Sequence, residues 1–177
     1  MSDIPYQMKT SKEEKLDRFT VVIDELDIHG RNARYSYIKV RPGVCVITKF
    51  EDEIICLKEF RHPIKSWSYE FTCGMIEDGE TPEETAIREV KEETGCIVDK
   101  LYSLGEFYPS FGATDETIHL FLAQCEERGE AELEFTEFIS MHPMGVEEVN
   151  KLIKNGEFKH GAGLAAWLKA QPYLKEK

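Results

Sequence analysis

Residues 81–95, TPEETAIREVKEETG, hold both ends of a helix inside one short window. Thr81 can cap the N-terminus and Pro82 fits the first helical position. Glu84, three residues after Thr81, completes a capping box. Gly95 supplies the C-terminal stop. A helix over 82–94 is therefore fixed at both ends, and any fold must place it among the strand-like runs that flank it.

Those runs are short and rich in β-branched and aromatic residues. RFTVVIDEL (18–26) and RYSYIKV (34–40), joined by the turn cluster DIHGRN, read as a hairpin. Pro42 and Gly43 punctuate the chain. GVCVITKF and EIICLKEF then form two strands around the acidic turn Glu51-Asp52-Glu53, and WSYEFT (67–72) reads as another. After the helix, KLYSLGEFYP and TIHLFLAQC are strands around the loop SFGATDE. GEAELEFTEF is an acidic loop leading into a short strand, FISM. Helices are expected over 145–154 and over HGAGLAAWLKA. Strands and helices mix without strict βαβ alternation, so the expectation is an α+β fold of the α/β/α sandwich type, not a doubly wound parallel sheet. The expected division is a small N-terminal β region over 1–41 and a main domain over 42–177.

A chain of 177 residues with 41% hydrophobic content can bury a core in one domain of ordinary size. Its formal charge of -12 argues against nucleic acid or an anionic membrane as main partner. An anionic substrate stays open, because bound cations reverse a local field. The five cysteines are scattered and lack CxxC spacing. They read as reduced thiols, not as a zinc site or a disulfide framework. With no signal-peptide core and no apolar run of membrane-spanning length, the expectation is a soluble cytoplasmic protein. There is no internal repeat.

The helix itself poses the chemical question. With Ala86 at zero on a wheel of about 100° per residue, Val90 falls at roughly 40° and Ile87 at roughly 100°, the expected buried stripe. Glu93, Glu89 and Glu92 fall at about 340°, 300° and 240°, one arc beside that stripe. Lys91, at about 140°, is on the other side. Like charges at this spacing cost a helix only about 0.2–0.5 kcal/mol per pair, so a plain solvated face is one reading. The other is a site for a hard divalent cation, because carboxylates on successive turns converge on an oxygen-liganded ion. Arg88 can brace the preceding loop by pairing with Glu80 or Glu84.

The wider window GMIEDGETPEETAIREVKEETGC (74–96) resembles the signature of the Nudix hydrolases. Gly74, Glu80, Arg88, Glu89, Val90, Glu92, Glu93 and Gly95 fall in register, and Cys96 takes a place where an aliphatic residue is usual. The resemblance implies a mixed β-sheet between helices, with the signature as loop, helix and loop. It also implies hydrolysis of a nucleoside diphosphate linked to another moiety, with magnesium or manganese. By register it assigns metal ligands to Glu89 and Glu93, with Glu92 close behind and a backbone carbonyl at Cys73 or Gly74 as a further ligand.

Outside the signature, KEFRHPIKSWSYEFTCG and YPSFGATDE resemble the ADP-ribose (ADP-sugar) pyrophosphatase branch, over roughly residues 18 to 170. Phe111 stands where that branch usually has proline, and Phe71-Thr72-Cys73-Gly74 replaces its Leu-Pro-Ala-Gly turn. This likeness implies hydrolysis of ADP-ribose or a related nucleoside diphosphate sugar to two monophosphates. Other dinucleotides (flavin, dinucleoside polyphosphate or coenzyme A type) and a non-catalytic nucleotide-binding module are the alternatives. The resemblance also implies a loop carboxylate that acts on the water. Glu137 is the first choice and Glu134 the second, and the family's neighbouring acid falls on Phe135. Arg61 is a candidate for the phosphates, and Glu70 and Glu116 for ribose or the metal region. Trp67, Tyr35 and Tyr6 are candidate platforms for the base. A homodimer through the N-terminal strands is implied, with residues 1–17 reaching the partner's site. The histidines show no ligand spacing, and His160 reads as a helix-start residue.

Overall fold

The computed structural model describes residues 4–133, 135 and 138–174. The chain forms two compact units. One runs to Arg41 and includes Tyr108–Glu116; the other comprises Pro42–Phe107 and the residues from Thr117 onward.

The first unit is an antiparallel three-stranded meander of β1 (Gln7–Leu16), β2 (Phe19–Ile28) and β3 (Arg31–Lys39). The β2–β3 hairpin turns at His29 and Gly30, both in the left-handed region at φ 53° and 80°. A turn with two such residues matches the twist of the strands it joins. Asp27 Oδ1 accepts a hydrogen bond from Gly30 N at 2.7 Å and fixes the turn. The sequence does not mark β1, because KEEK shows no apolar alternation. It forms by pairing along β2, and all ten of its residues are exposed. Within this unit Ile38 N donates to Ala113 O at 2.8 Å, and Val40 N to Asp115 Oδ1 at 2.7 Å, which ties 108–116 to β3.

The second unit contains β4 (Gly43–Phe50), β5 (Glu53–Arg61), β6 (Ser66–Glu70), β7 (Thr72–Met75) and α1 (Pro82–Thr94). β8 (Cys96–Phe107), β9 (Ile118–Arg128), β10 (Ile139–Met144), α2 (Val146–Lys154) and α3 (Gly161–Leu174) complete it. The sheet order is β10-β5-β4-β9-β8, with β4 and β9 parallel and the other pairs antiparallel. WSYEFT is not one strand. It breaks at the buried Phe71, so that β6 pairs with the far half of β5 and β7 with the first half of β4.

Alternation along the strands divides the core in two. Val44, Val46, Ile55, Leu57, Phe121 and Ala123 pack with Ala86 and Val90 of α1. Cys45, Ile47, Ile54, Cys56, Leu120 and Leu122 pack with Phe158, Ala166 and Trp167 on the α3 side. Strands buried on both faces explain why 43–50 and 53–60 read as near-continuous apolar runs. The α/β/α sandwich is thus a mixed sheet with α1 on one face and α2 and α3 on the other. Among the described residues no helix is long and apolar enough to cross a membrane.

Candidate active site

α1 starts and stops where its residues dictate. Thr81 Oγ1 accepts from Glu84 N at 3.2 Å, and Thr81 N donates to Glu84 Oε2 at 2.8 Å. Gly95, at φ 70°, donates its N–H to Lys91 O at 2.8 Å. A side chain at Gly95 would also come within 2.5 Å of Gly129 O, so both conformation and space require glycine there.

The buried face of α1 is Thr85, Ala86, Glu89, Val90, Glu93 and Thr94. Ile87, expected in the buried stripe, is 46% exposed. The stripe is rotated toward the acids, so Glu89 and Glu93 lie inside it, at 9% and 4% exposure, beside Ala86 and Val90. Apolar residues alone had set the expected stripe. The buried face instead extends to the acid side of Ala86 and Val90 and stops short of Ile87.

Arg88 holds the acids together. Its Nη1 donates to Glu89 Oε1 at 2.7 Å and Glu92 Oε2 at 2.9 Å. Its Nε and Nη2 donate to the two oxygens of Glu80 at 2.9 and 3.0 Å. Glu84, the other expected partner, is engaged at the cap instead. Glu80 also accepts from Thr85 Oγ1 at 2.7 Å and from Glu77 N at 3.2 Å, and so pins the loop to the helix. The Arg88 hydrogen bonds, and after them that of Thr85, bring the Glu80 carboxyl down from its ordinary 4.5 to about 2.

Gly74 explains how Glu89 fits. Its register opposite Val44 turns it toward the α1 face, and a Cβ there would overlap the Glu89 carboxylate. The carboxylate rests on bare backbone of β7. Gly74 O in turn lies 2.8 Å from where a side chain at Gly43 would begin, so β4 and β7 approach closely at this point. The donor set of Glu89, Glu92 and Glu93 beside the β7 backbone is all oxygen, which fits a hard divalent cation.

Arg61 and Glu70 are brought together. Arg61 Nη2 donates to Glu70 Oε2 at 2.7 Å and Nε donates to Glu70 Oε1 at 3.1 Å, while Glu59 Oε2 lies 2.9 Å from the same Nη2. Glu70 is buried at 2% exposure. Glu59 escaped the sequence reading, although its place two residues before Arg61 on one strand put both side chains on one face. Trp67 is half exposed and meets Phe60 edge-on at 5.7 Å. Tyr6 and Tyr35 belong to the first unit, where with Tyr37 and Phe111 they line a cavity of about 420 Å³. Glu116 also belongs to that unit, and burial, then Asp115, raises its carboxyl. Near the end of α1, Glu132 N donates to Glu92 O at 2.7 Å. Glu134 and Glu137 lie outside the described residues.

A helix carrying Glu89, Glu92 and Glu93, with Glu89 set against Gly74 of the adjoining strand, offers oxygen ligands of the kind that cation-assisted chemistry on an anionic substrate uses. The NUDIX domain family matches residues 39–167, and the chain belongs to that family. It is 35% identical to an ADP-ribose pyrophosphatase of Bacillus subtilis (strain 168) over 141 residues, covering 76% of this chain and 75% of the relative. It is 29% identical to a methanol dehydrogenase activator of Bacillus methanolicus, covering 97% of this chain and 98% of that protein. In fold it matches the crystal structure of an ADP compounds hydrolase with a TM-score of 0.87 at 21% identity, over 99% of this chain and 97% of that one.

Proposed function

We propose that this chain hydrolyses the pyrophosphate bond of ADP-ribose or a related nucleoside diphosphate sugar, with magnesium or manganese, to a nucleoside monophosphate and a sugar phosphate. The observation that carries the reading is the burial of Glu89 and Glu93 on α1, with Glu89 resting on Gly74. Carboxylates that served only as a solvated helix face would not take up so much of its packing surface. The likeness to the ADP-ribose pyrophosphatase of Bacillus subtilis supports the substrate class.

Glu89, Glu93 and Glu92 would hold the cations, with the Cys73 backbone carbonyl. Divalent cations there would neutralise the diphosphate and acidify the attacking water. Arg88 keeps the signature carboxylates in register and keeps the loop on the helix. Glu137 orients the water or takes its proton. Arg61, held by Glu59 and Glu70, presents a guanidinium of fixed orientation to the phosphates. Trp67, or Tyr6 and Tyr35 of the first unit, stack with the base. Glu70 and Glu116 serve the ribose side. The protein works as a cytoplasmic homodimer joined through the N-terminal strands. The all-exposed β1, at the edge of its sheet, supports that assembly, since an open edge is a template for another strand.

The test is a panel of nucleoside diphosphate sugars and dinucleotides with magnesium or manganese. Both products are monoesters, so phosphate should appear only after a phosphatase is added. ADP-ribose or an ADP-sugar should be the best substrate. No cleavage of any member with either metal would leave only a binding module.

A further inference from the structure

We propose that Cys45, Cys73 and His160 form a second metal site, for a thiophilic divalent ion of the zinc class, on the opposite sheet face from the carboxylate helix. Cys45 and Cys73 are directly opposed across the antiparallel β4–β7 pair, so their side chains leave the sheet on the same side. That side is the α3 cluster. His160 stands immediately before α3, with its carbonyl accepting from Leu164 N at 2.9 Å. One ligand atom from each of the three lies within 4.8 Å of the others. A tetrahedral zinc ion with bonds of about 2.0–2.3 Å spaces its ligand atoms by roughly 3.3–3.8 Å. Small side-chain rotations close that difference.

Three further features fit a site. His160 Nδ1 is buried and makes no hydrogen bond among the described residues. A coordinate bond, or a re-oriented ring around one, gives that nitrogen a partner. Both thiols are free, and neither is tied into a disulfide. A Cβ at Gly163 would lie 3.3 Å from His160 Nδ1, so glycine there leaves the imidazole room to stay where it is. Two thiolates and a neutral imidazole match a soft or borderline ion and mismatch magnesium, which takes oxygen. Three protein ligands leave a fourth position, and Glu70 Oε2, 4.0 Å from His160 Nδ1, borders it. Entry is from the His160 side, where a quarter of the side chain is exposed. The spacing of the cysteines gave no hint of this, because the ligands come from two strands and a helix start.

β7 then serves two faces at once. Gly74 supports Glu89 on the α1 side, while Cys73, one residue earlier, reaches the soft ion on the α3 side. An ion there pins the strand that carries the glycine.

The test uses reduced, chelator-treated full chain in excess magnesium, titrated with cobalt(II) as the probe. One equivalent should produce a thiolate-to-cobalt charge-transfer band and tetrahedral visible bands, which zinc then bleaches. Cys45→Ser and His160→Gln should each abolish the band at that equivalence. Cys125→Ala, which removes a thiol on the α1 face, and Glu93→Gln should retain it. Zinc should also raise the melting temperature of wild type and not of His160→Gln. If Cys45→Ser does not fold, the partly exposed His160→Gln carries the comparison. No charge-transfer band in wild type, or a band undiminished in the folded variants, overturns the proposal. Because the readout is spectroscopic, its failure leaves the hydrolysis reading untouched, and failure of the substrate panel leaves this one standing.

Discussion

At the scale of single residues, the sharpest demand falls on Glu93 and Gly74. Glu93 is buried on α1, and Glu93→Gln keeps the volume and removes the charge. We expect kcat to fall by several orders of magnitude with the circular dichroism spectrum and melting temperature retained. An unchanged rate removes Glu93 from the mechanism. Gly74→Ala tests a different property, the room that bare backbone leaves for Glu89. The added methyl would overlap the carboxylate, so either the strand or Glu89 must shift. Overpacking of that kind costs about 1–3 kcal/mol, and a reacting group displaced by an ångström can cost about a hundredfold in rate. A variant that is destabilised yet turns over at the wild-type rate would show that Glu89 tolerates displacement. The identity of both residues was legible in the signature register. The reason for Gly74 was not, since nothing in the string says that the residue fifteen places later lies across it.

At the scale of elements, α1 was the best-read part of the chain, because its caps are local chemistry and need no tertiary context. Its burial was read less well. The apolar rule put Ile87 inside, and the structure puts Glu89 and Glu93 there, which is where a functional site breaks the pattern. The same local logic gives two predictions. Thr81→Ala removes one half of the capping box and should cost about 1 kcal/mol, read as a lower urea midpoint, with kcat little changed. Glu80 pins the loop to α1 through Arg88, and its folded pKa of about 2 lies below its ordinary 4.5. A lowered folded pKa gives stability that is complete above the unfolded value and is lost as pH falls toward the folded one. The stability gap between wild type and Glu80→Gln should therefore be full at neutral pH and shrink below about pH 4.5. A gap independent of pH would mean that the Glu80 charge contributes nothing. Strands buried on both faces were legible as apolar runs. The break at Phe71 was not, since WSYEFT has no glycine or proline to mark where its partner changes from β5 to β4.

At the scale of the whole molecule, β1 decides. A strand of ten exposed residues, absent from the sequence reading for want of apolar alternation, lies at the edge of a three-stranded sheet. Only Val22, Asp24 and Leu26 of that sheet are buried in the single chain. Its ladder is braced by pairs such as Lys39–Glu13 at 2.8 Å and Lys9–Asp27 at 3.1 Å, and exposed pairs of this kind are worth little. Meanwhile Tyr6, Met8, Leu16 and Phe19 stand exposed on or beside it, which is apolar surface that a lone chain gains nothing by presenting. A second copy would cover both the surface and the open edge. Stable protein–protein interfaces bury about 1,200–2,000 Å². Light scattering after gel filtration should therefore give twice the 20.4 kDa chain mass. Met8→Asp together with Leu16→Asp should shift that mass to one chain, because each charge would have to be buried unpaired in the interface. If the partner's N-terminal strands complete the substrate site, KM should rise with dissociation while the metal affinity of α1 holds. A wild-type monomer, or a monomeric variant with unchanged KM, would place the whole site within one chain.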